Sequence, residues 1–292
     1  CHGGRGKYRL GPMTIESLDF LGIWCMSKTF EIFDSFIILP KTFEIPTFSI
    51  GSSQSIAFSG MRTLPKSGMG YEFLGTREYR PGDCLKFIHW PATAHHGTLI
   101  VKEFELFTSS QITFFLDLSA KSLQGFKPNT IDYSIEIIAS IAKYVTEQGH
   151  SFRVVAKGDR WFLYPLNRGA AHLAWILEEM SLMKPLGEMP IEEVVKACLP
   201  QLDIGEEVVL VVPTHVFQVQ SFLSLYSYLQ KKNIKVTLIF LVSQTFEQLY
   251  GDVADYLSHS EIPARLSKKG ISLYAVEKGQ DIPSSLRREM VL

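Results

Sequence analysis

Three apolar runs in the second half of the chain constrain its fold more than any other feature. They cover residues 112–116, 208–212 and 234–242, and most of their positions are apolar. A strand with one face in water alternates apolar and polar residues, whereas a strand covered on both faces is apolar throughout. We therefore predict an α/β fold with a mostly parallel sheet that is flanked by helices on both sides.

The segments between these runs have the spacing of helices. Apolar residues recur at intervals of three and four over 131–145 and 173–180, which is typical of helices that face a core. A third helix is predicted over 216–229. Further strands are predicted at 152–155, 161–164 and 271–276, and the first two of these can pair with each other.

The first part of the chain has a different texture. It is rich in Gly, Pro, Thr, Phe and Ile, with short apolar runs between turn residues, which predicts short strands and irregular loops. We therefore predict two parts. A smaller β-rich segment covers residues 1–108 and is expected to be the remainder of a truncated domain, and an α/β domain covers residues 109–292.

Charge and cysteine content exclude several classes of function. The chain has 29 Lys and Arg residues against 30 Asp and Glu residues, so it lacks the positive charge with which proteins bind nucleic acids. Cys1, Cys25, Cys84 and Cys198 are far apart and form no CxxC pair, which excludes a zinc ribbon and indicates a reducing compartment such as the cytosol. The sequence contains no P-loop, dinucleotide-binding or HExxH motif.

The join between the two parts carries a motif of charged, aromatic and small residues. It reads R-E-Y-R-P-G-D at 77–83, I-H-W at 88–90, A-T-A at 92–94 and V-K-E-F-E at 101–105. With R-G-K-Y-R-L-G-P at 5–12 and D-F-L-G at 19–22, this pattern resembles the bacterial family called domain of unknown function 58. One departure is His95, which stands where that family has Arg, so an anion contact expected there is weakened.

The resemblance implies a fold and a context rather than a reaction. It implies that the second part is similar to a von Willebrand factor A domain, and that membrane segments precede the β-rich segment. The chain would then be a cytoplasmic domain of a membrane-anchored protein. Members of the family tend to be encoded near MoxR-type AAA+ ATPases, and no enzymatic activity is established for them. We therefore expect a non-enzymatic adaptor that works with such an ATPase in assembling or remodelling a protein complex.

A metal site is the alternative that the same resemblance raises. Von Willebrand A domains can hold Mg²⁺ through an Asp-x-Ser-x-Ser loop after the first strand, and here Asp117 and Ser119 match while Lys121 takes the third position. Thr214 follows a later strand and could share the same edge of the sheet. The alternative is thus a Mg²⁺-dependent recognition module built on Asp117, Ser119 and Thr214. The favoured interpretation is that Asp117 and Ser119 tie down the loop through side-chain hydrogen bonds and that Lys121 pairs with Asp117. No other cofactor is expected.

The R-E-Y-R-P-G-D segment is expected either to fix the junction between the two parts or to dock a partner. Charged side chains within it can form an ion-pair network, and an aromatic side chain just after it can serve as an apolar anchor. The candidate residues of this segment are Arg77, Glu78, Tyr79, Pro81, Gly82, Asp83 and Trp90. A third hypothesis, a hydrolase built on Cys84, His89 and His95, lacks a residue that would orient the base.

Overall fold

The computed structural model describes residues 4–46, 48, 56–58, 70–107, 110–247, 266 and 270–287. Its contacts divide the chain into two compact units. The first joins residues 1–48 to residues 112–292, and the second comprises residues 49–111. This division groups the first strands with the α/β part, and the predicted boundary after residue 108 stays a prediction about domain organisation.

The first unit begins with four short strands, which confirms the prediction of a small β-rich segment. Strands β1 and β4 form one antiparallel pair, and β2 and β3 form another. Gly11 lies between β1 and β2, where a Cβ atom would come within 2.3 Å of the Ile32 carbonyl oxygen, so this crossing of the chain requires glycine. The strands are β1 (Gly6–Leu10), β2 (Met13–Leu18), β3 (Cys25–Phe30) and β4 (Asp34–Ile38).

The second unit contains a three-stranded antiparallel sheet and one short helix. The order of the strands is β5-β7-β6, so the last strand of the unit is the central one. The elements are β5 (Ile56–Phe58), β6 (Gly70–Glu78), α1 (Trp90–His96) and β7 (Ile100–Phe107).

The first unit continues into a six-stranded sheet, which confirms the predicted α/β fold. The strand order is β10-β9-β8-β11-β12-β13. Strands β8, β11, β12 and β13 run parallel, and β10 pairs antiparallel with β9. The strands are β8 (Gln111–Leu116), β9 (Ser151–Lys157), β10 (Trp161–Leu163), β11 (Glu207–Pro213), β12 (Lys235–Leu241) and β13 (Ser272–Val276).

Helices connect these strands and cover the sheet. The longest helix is α2, which begins at a reciprocal cap between Asn129 and Asp132 and buries twelve of its residues. The eight-residue helix α4 was not predicted, because it is short and charged residues interrupt its apolar positions. The helices are α2 (Thr130–Glu147), α3 (Ala170–Leu182), α4 (Ile191–Cys198), α5 (Val219–Lys231) and α6 (Ile282–Ser285).

The sheet supplies the core. Every residue of β11 is buried, as are all but the first residues of β8 and β12, so the apolar runs correspond to covered strands as expected. Within the part of the chain that the structure describes, no helix combines the length and apolar character that a membrane span needs.

Candidate functional site

The connections of the sheet change direction between two neighbouring strands. From β8 the chain proceeds outward to β9 and β10, and from β11 it proceeds to β12 and β13 on the other side. Loops diverge at such a switch point and leave a crevice at the carboxyl ends of the strands. Leu116 pairs with Val211 across these strands, so Asp117 and Thr214 share the carboxyl edge, as the sequence predicts.

Asp117 and the loop that follows it are held by hydrogen bonds within the chain. Oδ1 of the buried Asp117 accepts from the Ser119 amide at 2.9 Å, and the hydroxyls of Ser119 and Ser122 are 2.7 Å apart. Thr130 donates its hydroxyl hydrogen to the Ser122 carbonyl oxygen at 2.6 Å. This confirms the interpretation that Asp117 and Ser119 tie down the loop.

Thr214 and His215 bind the loops on either side of them. The Ser243 amide donates to Oγ1 of Thr214 at 3.1 Å. The ring of His215 lies between the hydroxyl of Ser243, 2.6 Å from Nδ1, and the carbonyl oxygen of Lys121, 2.8 Å from Nε2. A carbonyl oxygen can only accept, so Nε2 donates to the Lys121 carbonyl oxygen. His215 therefore clamps the loop after β8 to the loop after β12.

The predicted ion pair between Lys121 and Asp117 is wrong. The ion pairs of the described residues join Arg5 to Asp132, Arg77 to Asp83 and Glu103, and Arg153 to Glu206. Asp117 is instead stabilised by a backbone amide, which lies two residues along the same loop and needs no long side chain to be ordered. The carbonyl group of Lys121, which sequence reasoning did not consider, is the part of this residue that the clamp uses.

Glu192 is a buried carboxyl group of this edge that sequence reasoning missed. It lies in the first turn of α4, and its Oε1 accepts from the Gln218 amide at 3.3 Å. Burial raises the pKa of Glu192, and the charge of Asp117 adds to that increase. Two carboxyl groups therefore lie within electrostatic reach of each other at the carboxyl edge. A glutamate directly after Ile191 at a helix start was the available signal.

The edge offers some oxygen ligands but not an assembled metal site. Among the described residues, no three His, Cys, Asp or Glu side chains are grouped closely enough to hold a metal ion. Asp117, Ser119 and Thr214 supply one carboxylate and two hydroxyls, all three engaged within the chain. The loops that follow β8 and β12 each bury a side-chain carbonyl oxygen without a hydrogen-bond partner, Oε1 of Gln124 and Oε1 of Gln244.

In the second unit, Arg77 binds two carboxylate groups in and near the charged segment at residues 77–83. Its guanidinium group binds Asp83 through two nitrogens, at 2.7 and 2.9 Å, and its Nε lies 3.1 Å from Glu103. The same contacts lower the pKa of Asp83, chiefly through the hydrogen bond from Arg77. Arg80 contributes its backbone amide, which donates to Asp83 at 2.8 Å.

The rest of the segment closes this turn. Gly82 in the Pro81-Gly82 turn has a φ of +109°, a value that favours glycine. The Tyr79 amide donates to the Leu99 carbonyl oxygen at 2.8 Å, and the Glu78 carbonyl oxygen accepts from Arg77. Of the predicted ion-pair network among Arg77, Glu78, Arg80 and Asp83, the structure shows the Arg77–Asp83 pair. Glu78 and Arg80 contribute backbone groups, and Glu103, which lies outside the segment, is the second carboxylate that Arg77 binds.

Trp90 begins α1 with its side chain 65% exposed, and Leu85 nearby is also exposed. Nδ1 of His89 accepts from the Ala92 amide at 3.1 Å and caps the helix. That nitrogen is thus occupied by a structural bond rather than directed as a base toward Cys84.

The comparisons with known proteins agree with this arrangement. Residues 75–216 match the family model described as protein of unknown function DUF58. This match, over just under half of the chain, supports the resemblance to that family. The matched region contains the candidate residues that the sequence predicts, from Arg77 to Thr214, and ends before Ser243 and Gln244.

A bacterial protein is similar to a larger part of the chain. The chain is 21% identical over 205 residues to YeaD of Bacillus subtilis (strain 168), an uncharacterized protein. The alignment covers 68% of this chain and 49% of YeaD, so the chain spans about half the length of the curated relative it matches.

Proposed function

We propose that this chain is a non-enzymatic adaptor that binds a protein partner at the carboxyl edge of its six-stranded sheet. The observation that supports this proposal is the hydrogen-bonded closure of that edge. Asp117, Thr214 and His215 each use atoms of the chain itself as partners. A surface whose polar groups are already fixed can recognise a partner by shape and by placed donors and acceptors, without a metal to organise it.

The second unit supplies an independent contact for the same function. Arg77 forms ion pairs with Asp83 and Glu103, and this network holds the turn that precedes α1. Trp90 and Leu85 then lie exposed on a rigid support. Exposed tryptophans on fixed backbones are the side chains that most often dominate protein interfaces.

The partner that we propose is a MoxR-type AAA+ ATPase, with which the chain would assemble or remodel another protein complex. This choice is supported by the resemblance to the family alone. The proposed location is the cytoplasmic side of a membrane-anchored protein of which this chain is one part.

The test is binding between the purified chain and the MoxR-type ATPase encoded in the same genome. We expect a stable complex that Trp90→Ala and His215→Ala weaken. Asp203→Ala, which alters an exposed carboxylate at the amino edge of the sheet, is the matched control and leaves the affinity unchanged. Equal affinity for all four proteins, or no complex at all, would contradict the proposal.

The alternative is a Mg²⁺-dependent recognition module at the same edge. Two observations favour it: the charge of Asp117 acts on Glu192, and the carbonyl oxygens of Gln124 and Gln244 are buried without partners. A cation would reduce the repulsion between the charges of Asp117 and Glu192. The Gln124 and Gln244 carbonyl oxygens are of the kind that Mg²⁺ prefers as ligands. Calorimetric titration of the chain with MgCl₂ tests it. Binding heat that Asp117→Asn abolishes would establish the alternative, and a flat titration would dismiss it.

A further inference from the structure

Arg5, which directly precedes β1, joins the N-terminal segment of the first unit to two helices. Its side chain is largely buried, with 12% of its surface exposed. Nε lies 3.3 Å from Oδ1 of Asp132, in the first turn of α2. Nη1 donates to carbonyl oxygens at the end of α3, of which that of Met183 is the nearest, at 2.9 Å. One guanidinium group therefore binds the amino end of one helix and the carboxyl end of another.

The charges at these two helix ends suit a cation between them. The carboxyl end of a helix carries a partial negative charge, which a basic side chain stabilises. Helix α3 has no basic residue in its last turn, so Arg5 supplies this charge from another part of the chain. The carbonyl oxygens of Met180 and Ser181 also accept from Nη1, at 3.3 and 3.4 Å. A planar guanidinium group can serve these carbonyl groups and a carboxylate together.

The Asp132 contact leads to the loop after β8, which we name the Asp117 loop (residues 117–122). Asp132 and Asn129 cap α2 reciprocally, because each side chain accepts a hydrogen bond from the backbone amide of the other residue. Thr130, at the start of the helix, donates its hydroxyl hydrogen to the Ser122 carbonyl oxygen at 2.6 Å. The start of α2 and the end of the Asp117 loop are thus fixed together.

The contact with α3 leads to the same loop from its other end. The chain that leaves α3 reaches Gly187, whose amide donates to the Leu118 carbonyl oxygen at 2.9 Å. The Gly187 carbonyl oxygen accepts from the Ala120 amide at 2.8 Å. A Cβ atom at Gly187 would lie 2.3 Å from the Lys157 carbonyl oxygen, so this segment fits closely between β9 and the Asp117 loop. The segment that follows α3 and the first part of the loop are thus fixed together as well.

We propose that Arg5 is a positioning residue of the recognition surface, which holds the Asp117 loop from both of its ends. That the loop recognises a partner rests on the proposed function, whereas the contacts that position the loop do not. Both routes run through hydrogen bonds and short stretches of backbone within the first unit. Because coupling between two sites is reciprocal, a partner that binds the loop should also strengthen the attachment of Arg5.

Hydrogen exchange of the free chain, measured by mass spectrometry, tests the positioning. Arg5→Gln removes the charge and the guanidinium group. We expect it to accelerate exchange in peptides that cover residues 118–122 and Gly187 by about tenfold or more, while β11 keeps its rates. Arg9→Gln is the matched control, because it makes the same change at an exposed position of β1, and it should leave these rates unchanged.

Two results of this experiment would overturn the proposal. The first is unchanged exchange of the Asp117 loop in Arg5→Gln, or equal acceleration in Arg5→Gln and Arg9→Gln. The second is equal acceleration in the loop and in β11, because a general loss of stability would then explain the effect. Arg5→Lys replaces Arg5→Gln if the latter does not fold. It keeps the charge but offers a single ammonium group to the two helix ends, so it should also accelerate loop exchange, and unchanged rates would overturn the proposal.

The affinity for the MoxR-type ATPase separates this inference from the proposed function. We expect Arg5→Gln to lower the affinity by at least about threefold, because fewer molecules hold the loop in its binding conformation, and Arg9→Gln to leave it unchanged. Faster loop exchange with unchanged affinity would overturn the role of Arg5 in recognition. Absence of a complex with the unsubstituted chain would contradict the proposed function, and the exchange rates would still decide whether Arg5 positions the loop.

Discussion

Strand β11 buries every one of its residues, whereas strand β2 exposes every one, although both contain aliphatic side chains. The difference lies in their neighbours. Strand β11 has a paired strand on each side and helices over its faces, while β2 has one paired strand and an uncovered apolar face. Apolar content therefore predicts which face must be covered, but the covering element has to be found in the structure.

Polar groups show the same contrast. At the carboxyl edge of the sheet, the Asp117 and His215 side chains are bound by atoms of the chain, which makes a closed surface. Along the outer edges of the β2–β3 pair, which we name the ribbon (residues 13–30), the backbone has no ladder partner among the described strands. We expect the first surface to bind a partner by recognition of its fixed groups.

The two regions should differ most in how much the free energy of unfolding falls when an apolar side chain is removed. Phe114→Ala leaves a cavity in the fully buried β8 and should lower the free energy of unfolding by about 3–5 kcal/mol. Ile15→Ala in the ribbon should change it by less than about 0.5 kcal/mol, because the side chain of Ile15 is exposed. Urea unfolding followed by circular dichroism measures both. Similar costs would mean that the ribbon face is covered within the single chain.

Loss of the His215 side chain should have the next largest effect on the free energy of unfolding. His215→Ala leaves the Lys121 carbonyl and the Ser243 hydroxyl without this partner, which should cost about 1–3 kcal/mol of the free energy of unfolding. His96→Ala removes an exposed histidine of α1 and should have no measurable effect. Thermal unfolding of both variants decides the point, and indistinguishable melting temperatures would show that the loops at the carboxyl edge are not clamped.

A smaller effect is expected from Glu192 and depends on pH. Because burial raises the pKa of Glu192, the folded chain holds this proton more tightly than the unfolded chain. Stability therefore falls as the pH rises from the usual glutamate pKa through the raised one, and the penalty is complete above both. Glu192→Gln should flatten this decrease and stabilise the chain at neutral pH, while Glu178→Gln, at an exposed position of α3, should not. Urea unfolding across acid and neutral pH would show an unchanged slope in Glu192→Gln if the account is wrong.

The smallest effect on stability is expected at Trp90. Its exposed side chain should contribute within about 0.5 kcal/mol to the free energy of unfolding. The proposed role predicts a larger effect on binding: Trp90→Ala should lower the affinity for the MoxR-type ATPase by tenfold or more. Leu99→Ala, at a less exposed position of the same unit, is the comparison in both assays. Loss of folding in Trp90→Ala would assign the side chain to structure.

The main strands and helices were predictable because their apolar periods are unambiguous. The runs at 112–116 and 208–212 correspond to β8 and β11, and the period over 131–145 corresponds to α2. Helix α4 was not predictable, because eight residues with mixed polarity carry too weak a period. The grouping of residues 1–48 with the α/β part in one compact unit rests on contacts between segments that are distant in sequence, which leave no local signal.

The sequence predicts which edge of the sheet these residues share, but it does not predict their hydrogen-bond partners. Asp117 and Thr214 share an edge because parallel strands place their carboxyl ends together. The partners of these residues differ from the expectation: a backbone amide replaces Lys121, and the ring of His215 connects two loops that the sequence alone does not bring together. Such contacts depend on how loops fold over the edge and therefore require the structure.

Hydrogen exchange of the chain, measured by mass spectrometry with and without the MoxR-type ATPase, tests the central claim most directly. We predict that the ATPase slows exchange in the loops around residues 117–122, 214–216 and 243–246, while exchange in the ribbon is unchanged. Protection confined to the ribbon, with the loops at the carboxyl edge exchanging as they do in the free chain, would contradict the claim that this edge is the recognition surface.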